Sequence, residues 1–113
     1  MFETTPAVEI ALTIGLLRNG TAGPLIAQEE ALRWIARAMK DRDQDYFSVT
    51  EGTGFYRGER EPNLKVAVIA QWKTTALDHT REAMNGIARE FAREFDQESV
   101  MLTEVDTQWS FVS

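Results

Sequence analysis

Ala7-Val8-Glu9-Ile10-Ala11-Leu12-Thr13-Ile14-Gly15-Leu16 alternates large apolar residues with small or polar ones at every step. Successive side chains of an extended chain point to opposite faces, so a period of two held this long predicts a strand with one apolar face. Val8, Ile10, Leu12, Ile14 and Leu16 would line that face, and Ala7, Glu9, Ala11, Thr13 and Gly15 the other. Ala11, Thr13 and Gly15 are small, which leaves room for a subunit, a ligand or water to come close.

Arg18-Asn19-Gly20-Thr21-Ala22-Gly23-Pro24 follows as a turn-rich loop. From about Leu25 to Lys40 the period lengthens toward 3.6, with Leu32, Ile35, Ala36 and Met39 on one stripe and Glu29, Arg33 and Arg37 outside it. That pattern predicts an amphipathic helix, supported by the Glu29–Arg33 spacing. Tyr46 to Tyr56 is aromatic and β-branched but contains Gly52 and Gly54, which predicts a strand that bends or bulges there. The polar stretch Arg57 to Asn63 reads as a long hairpin loop, and Leu64 to Trp72 as the returning strand. Thr74 or Thr75 can cap a second helix running to about Phe95, within which Gly86 implies close packing or a slight bend. Ser99 to Val105 is extended again, and Trp109 to Val112 either continues it or forms a short extra strand.

The order is β-α-β-β-α-β, which predicts an α+β domain of ferredoxin-like plan: a four-stranded antiparallel sheet with two helices on one face. Right-handed crossovers place the first and third strands, the most apolar ones, in the middle. A chain of 113 residues with 43% apolar and 27% charged residues is long enough to fold as one such domain.

Cysteine is absent, which removes disulfides, cysteine–metal centres and thiol nucleophiles and suits a reducing compartment. No basic segment precedes an apolar run near the start, and no apolar stretch approaches a membrane span, so a cytoplasmic domain without membrane contact is expected. The net charge of −6 argues against nucleic acid as a partner. Beyond Arg93 there is no Lys or Arg, while Glu94, Asp96, Glu98, Glu104 and Asp106 follow. That run is either a solvated edge or a surface for a basic partner.

No motif for a metal or cofactor is present, and none is expected. His79 stands alone beside Asp78 on a helix, where an exposed surface role is the plain reading. Ser48, Ser99 and Ser110 lack any nucleophile-elbow context. Glu9 and Glu51 interrupt strand-like runs; on a shared open sheet face they would form a carboxylate pair suited to general-base work, and otherwise they are solvated. Gly52-Thr53-Gly54 with Arg57 and Arg60 nearby offers free backbone N–H groups and guanidinium forks for an anion, although hairpin chemistry alone also explains the glycines. Glu9, Glu51, Tyr56, Arg57 and Arg60 are therefore the candidate ligand-binding residues. Phe47, Phe55, Trp72, Phe91, Phe95, Trp109 and Phe111 are more rings than a two-layer core needs. Some would cover the open face of the sheet, and a twofold homodimer or higher assembly is the common closure of such a face.

The strand from Phe47, the turn Gly52-Thr53-Gly54-Phe55, the Arg-Gly-Glu-Arg-Glu-Pro segment 57–62 and the phrase Phe95-Asp96-Gln97-Glu98-Ser99-Val100 together resemble a family of small bacterial domains of unknown function. In that family a helix ends in Phe-x-Gln-Glu-Ser-Val before the last strand. The resemblance spans roughly Val8 to Val105 and implies a ferredoxin-like domain with no catalytic residue to carry over; members often have an export signal, which this sequence is read as lacking. In such a phrase Gln97 and Glu98 would organise the helix-to-strand turn, with Ser99 satisfying a backbone group.

Three functions fit these residues. The first is an oligomeric binding or assembly module that holds a small ligand or protein partner against its sheet or hairpin. The second is a cofactor-independent enzyme of the dimeric α+β-barrel kind, with Tyr46, Tyr56, Glu9, Glu51 and Arg57 to inspect. The third is a small acidic inhibitor carried by a mobile element.

Overall fold

The computed structural model describes residues 4–17, 25–110 and 112. The turn-rich stretch Arg18–Pro24, Phe111 and the side chain of Tyr56 lie outside the described residues. Along the chain run β1 (Thr5–Gly15), α1 (Gln28–Asp41), β2 (Ser48–Tyr56), β3 (Glu59–Gln71), α2 (Thr75–Glu94) and β4 (Met101–Trp109). The strands form one antiparallel sheet in the order β2-β3-β1-β4, with β1 and β3 central as expected.

The alternation of β1 is realised directly. Val8, Ile10, Leu12, Ile14 and Leu16 are buried, and β3 adds Leu64, Val66, Val68 and Ala70 to the same side. Onto this layer α1 lays Ala31, Ile35, Ala38 and Met39, and α2 lays Leu77, Met84, Ile87 and Phe91. Trp34 of α1 meets Phe91 edge-on at 5.3 Å, and Phe91 stacks on Phe95 at 4.4 Å, so aromatic contact closes one end of the helix layer. Thr74 caps α2 by accepting a hydrogen bond from the Leu77 amide. The tolerance of Gly86 in α2 has a physical reason: the Arg42 guanidinium lies where its Cβ would stand, 3.1 Å away, and reaches on to Glu90 at 2.5 Å.

The hairpin differs from its sequence reading. Arg57 (φ 51°) and Gly58 (φ 82°) both take the left-handed conformation that a two-residue turn of matching twist requires, so residues 59–63 are strand and not loop. The pairing from Ser48↔Ala67 to Tyr56↔Glu59 is unbroken, so Gly52 and Gly54 make no bulge. Because β1 pairs with β3 only as far as Gly15↔Asn63, the outer part of the hairpin extends past the helix-covered body, and the molecule measures 50 × 28 × 23 Å. β4 runs continuously from Met101 to Trp109, and Phe111, in the stretch expected to continue it or form a short extra strand, lies outside the described residues.

Leu12 is fully buried at the centre of the sheet. Leu12→Ala is expected to lower the unfolding free energy by about 2–5 kcal/mol in urea titrations; a loss below about 1 kcal/mol would show that this layer is not close-packed.

Candidate functional site

Register decides what the helix-free face displays. Across it run the rows Ile69–Glu9–Val105, Ala67–Ala11–Thr103, Lys65–Thr13–Met101 and, at the end of β1, Asn63–Gly15. Lys65 Nζ lies 3.1 Å from Glu9 Oε1, so the pair spans the Ala11–Ala67 position between them. Ala11 is only 1% exposed although no helix lies over it. Both partners are partly solvated, which makes the ion pair a weak stabiliser and a fixed feature of the face.

Toward the other end three glycines come together: Gly15 of β1 with Gly52 and Gly54 of β2. Between them β3 presents Glu61 and Asn63. A Cβ on Gly15 would stand 2.1 Å from Glu61 Oε1, one on Gly52 2.5 Å from Asn63 Oδ1, and one on Gly54 3.0 Å from Asn63 Nδ2. The glycines are thus the floor on which these two side chains rest. Over the floor opens a cleft of about 320 Å³, with Thr13, Phe55 and Met101 at its rim and Gln97, Glu98 and Ser99 as one wall.

The wall is held by the end of α2. Phe95 is buried, Asp96 turns left-handed (φ 53°), and the Gln97 amide N–H bonds the Ala92 carbonyl at 2.8 Å. The Gln97 side-chain Nε2 donates to the Leu17 carbonyl at 2.8 Å, which ties the turn to the end of β1. Partial burial raises the Glu61 carboxyl above the ordinary carboxylate range. Among the described residues no hydrogen bond or ion pair compensates it.

Of the five residues singled out from the sequence, Glu9 and Glu51 lie on opposite faces of the sheet. Glu9 sits on the open face with Lys65. Glu51 pairs in register with Leu64, which puts it on the helix side, where Gln28 Nε2 donates to its carboxylate. The expected Glu9–Glu51 pairing on one face is therefore corrected: strand register gives them opposite faces. Arg57 occupies the hairpin turn, Arg60 lies opposite Phe55 on the outer hairpin, and the Tyr56 side chain lies outside the described residues. Glu61 and Asn63 were hidden within a stretch that reads as loop; the visible signal was the alternate Gly52 and Gly54, which needed only the register to find their partners. Tyr46 and His79 are exposed, and the described residues include no cluster of His, Cys, Asp and Glu able to hold a metal. Glu104 of the acidic run is taken up by Arg81 at 2.8 Å. No described helix is long and apolar enough to cross a membrane.

A raised carboxyl pKa means that the folded chain holds the Glu61 proton more tightly than the unfolded chain does. Ionised Glu61 therefore costs stability at neutral pH, and the cost fades as pH falls and the group protonates in both states. Glu61→Gln should melt above the parent protein near about pH 7, with the gap closing toward about pH 4. A variant that melts at or below the parent temperature at neutral pH would contradict this assignment.

No curated protein matches the chain. Among solved structures it is similar to a phage SAM lyase in complex with S-methyl-5'-thioadenosine, with a TM-score of 0.63 and 16% identity over 95% of this chain and 90% of that one. A phage SAM lyase in the apo state gives a TM-score of 0.60 at 16% identity, over 94% and 89% of the two chains. This likeness is one of fold. Residues 9–111, which carry the sheet, both helices and the glycine-floored cleft, match the family described as "Protein of unknown function (DUF3574)", and the chain belongs to that family.

Proposed function

We propose that this protein is a self-associating binding domain that holds a small ligand in the cleft lined by Gly15 and Gly54, beside Gly52. The observation that carries this reading is the floor itself. At three positions on two strands a side chain is absent where Glu61 and Asn63 need the space, and the cleft above is in the range of small-molecule sites. Glycine weakens a strand interior, so its use at three adjoining places suits a binding role better than a packing one.

Self-association rests on the same face. Ile69, Val105 and Met101 are each more than half exposed around the Glu9–Lys65 pair, and a second copy is the occupant such a sheet face most often takes. A cysteine-free acidic chain suits a reducing, cytoplasmic setting and makes nucleic acid a poor partner.

A second reading is a cofactor-independent enzyme, in which Glu61, a carboxyl lining the cleft and raised above its ordinary value by partial burial, would serve as the general base. The phage SAM lyase shows that this architecture can carry catalysis. An acidic inhibitor role has less support, because Arg81 already engages Glu104.

Light scattering on the eluting protein should give at least a dimer mass, reduced to monomer by Ile69→Glu with Val105→Glu; a monomeric parent would remove self-association. In a thermal-shift screen of metabolites, a cleft ligand at about 100 times its Kd should stabilise by roughly 2.7 kcal/mol, and Gly15→Val should abolish the shift. A screen with no stabilising compound would sink the binding reading.

A further inference from the structure

The charge of the cleft is one-sided among the described lining residues. Glu61 offers a carboxylate that no described donor reaches, and Glu98 brings a second. The amide nitrogen of Gln97 gives one of its two hydrogens to the Leu17 carbonyl, which leaves its second N–H and its oxygen. Asn63 lays its Oδ1 over Gly52 and its Nδ2, a donor, over Gly54, which lines the cleft. The Thr13 and Ser99 hydroxyls can take either role. No Lys or Arg is among the described lining residues, and Lys65, on the same face, is held by Glu9 at 3.1 Å.

An occupant that brings positive charge therefore complements the described lining. We propose that the cleft takes a small organic cation with N–H donors, an amine or a guanidinium, anchored on Glu61. This rests on the reading that the cleft holds a ligand and adds its chemical class. An anion would meet two carboxylates with no described cation to offset them. A neutral apolar molecule would remove more water from Glu61 and give nothing in return, the costly arrangement for a carboxylate. An ammonium or guanidinium instead forms charge-assisted hydrogen bonds to the group that burial has left under-solvated.

The test uses three probes of matched length: 1,4-diaminobutane, 1,4-butanediol and succinate. Each is titrated into the ¹⁵N-labelled full chain at near-physiological salt, with the amides of Gly15, Gly54 and Ser99 as reporters. The diamine should give saturable shifts at these amides and the other two none. Glu61→Gln should weaken the diamine by about tenfold or more, and Glu98→Gln, a change on an exposed wall residue, serves as an independent second variant. If butanediol binds at the same amides as tightly as the diamine, the cation class is overturned and the binding cleft survives. If all three are silent while the metabolite screen yields a cleft ligand of other chemistry, the cation proposal again fails alone. Diamine shifts spread without saturation over the acidic surface, or silence in both experiments, would overturn both.

Discussion

The structure depends on burying one face of β1. Val8, Ile10, Leu12, Ile14 and Leu16 sit under α1 and α2, and each large aliphatic side chain taken out of water contributes about 1.5–3 kcal/mol. Slipping the strand by one residue would turn Glu9, Ala11, Thr13 and Gly15 toward the helices and expose the aliphatic set. Register is fixed by that penalty. Everything on the opposite face follows: Glu9 beside Ile69 and Val105, Ala11 beside Ala67, and Gly15 beside Asn63.

The helix layer carries the same constraint to the cleft wall. Phe91 and Phe95 stack against each other and meet Trp34 edge-on, which sets where α2 stops. Asp96 reverses the chain, and Gln97 reaches back to Leu17. Gln97, Glu98 and Ser99 therefore stand beside a strand end about eighty residues away in sequence because aromatic packing puts them there.

Where one face meets a packed layer and the other does not, hydrophobic periodicity could be read from the residues alone, as in β1 and α2. In α1 it found Ile35 and Met39, while Ala36, expected on the stripe, is exposed and Ala31 and Ala38 are buried instead. It failed over Glu59–Asn63 because the hairpin there extends beyond the helices. Glu61 and Asn63 are half-buried and their neighbours exposed, so no apolar alternation marks the stretch, and polar residues in a strand look like a loop. The turn also lacks the Asn-Gly or Asp-Gly signature, since Arg57 takes the first left-handed position. The site was harder still. Whether residues on different strands share a face is a property of register, which is why Glu9 and Glu51 separate while Gly15, Glu61 and Asn63 meet. The glycines of β2 were visible, but a bend and a floor leave the same mark in sequence.

Two unfavourable choices coincide at the floor. Glycine in a strand interior costs roughly 0.5–1 kcal/mol relative to alanine, and Glu61 is partly desolvated with no described donor to compensate it. Sequence and structure agree nearly everywhere else: the aliphatic face is packed, α2 is capped by Thr74, and no buried side-chain polar atom among the described residues lacks a partner. Local preference gives way at this one place, which suits the binding role proposed above. Alanine, threonine or valine at Gly15 of β1 or at Gly52 and Gly54 of β2 would bring a Cβ to between 2.1 and 3.0 Å of Glu61 or Asn63 and displace those side chains. The open floor under Glu61 and Asn63 is what those substitutions would remove, and it is the property by which this end of the sheet differs from the rest.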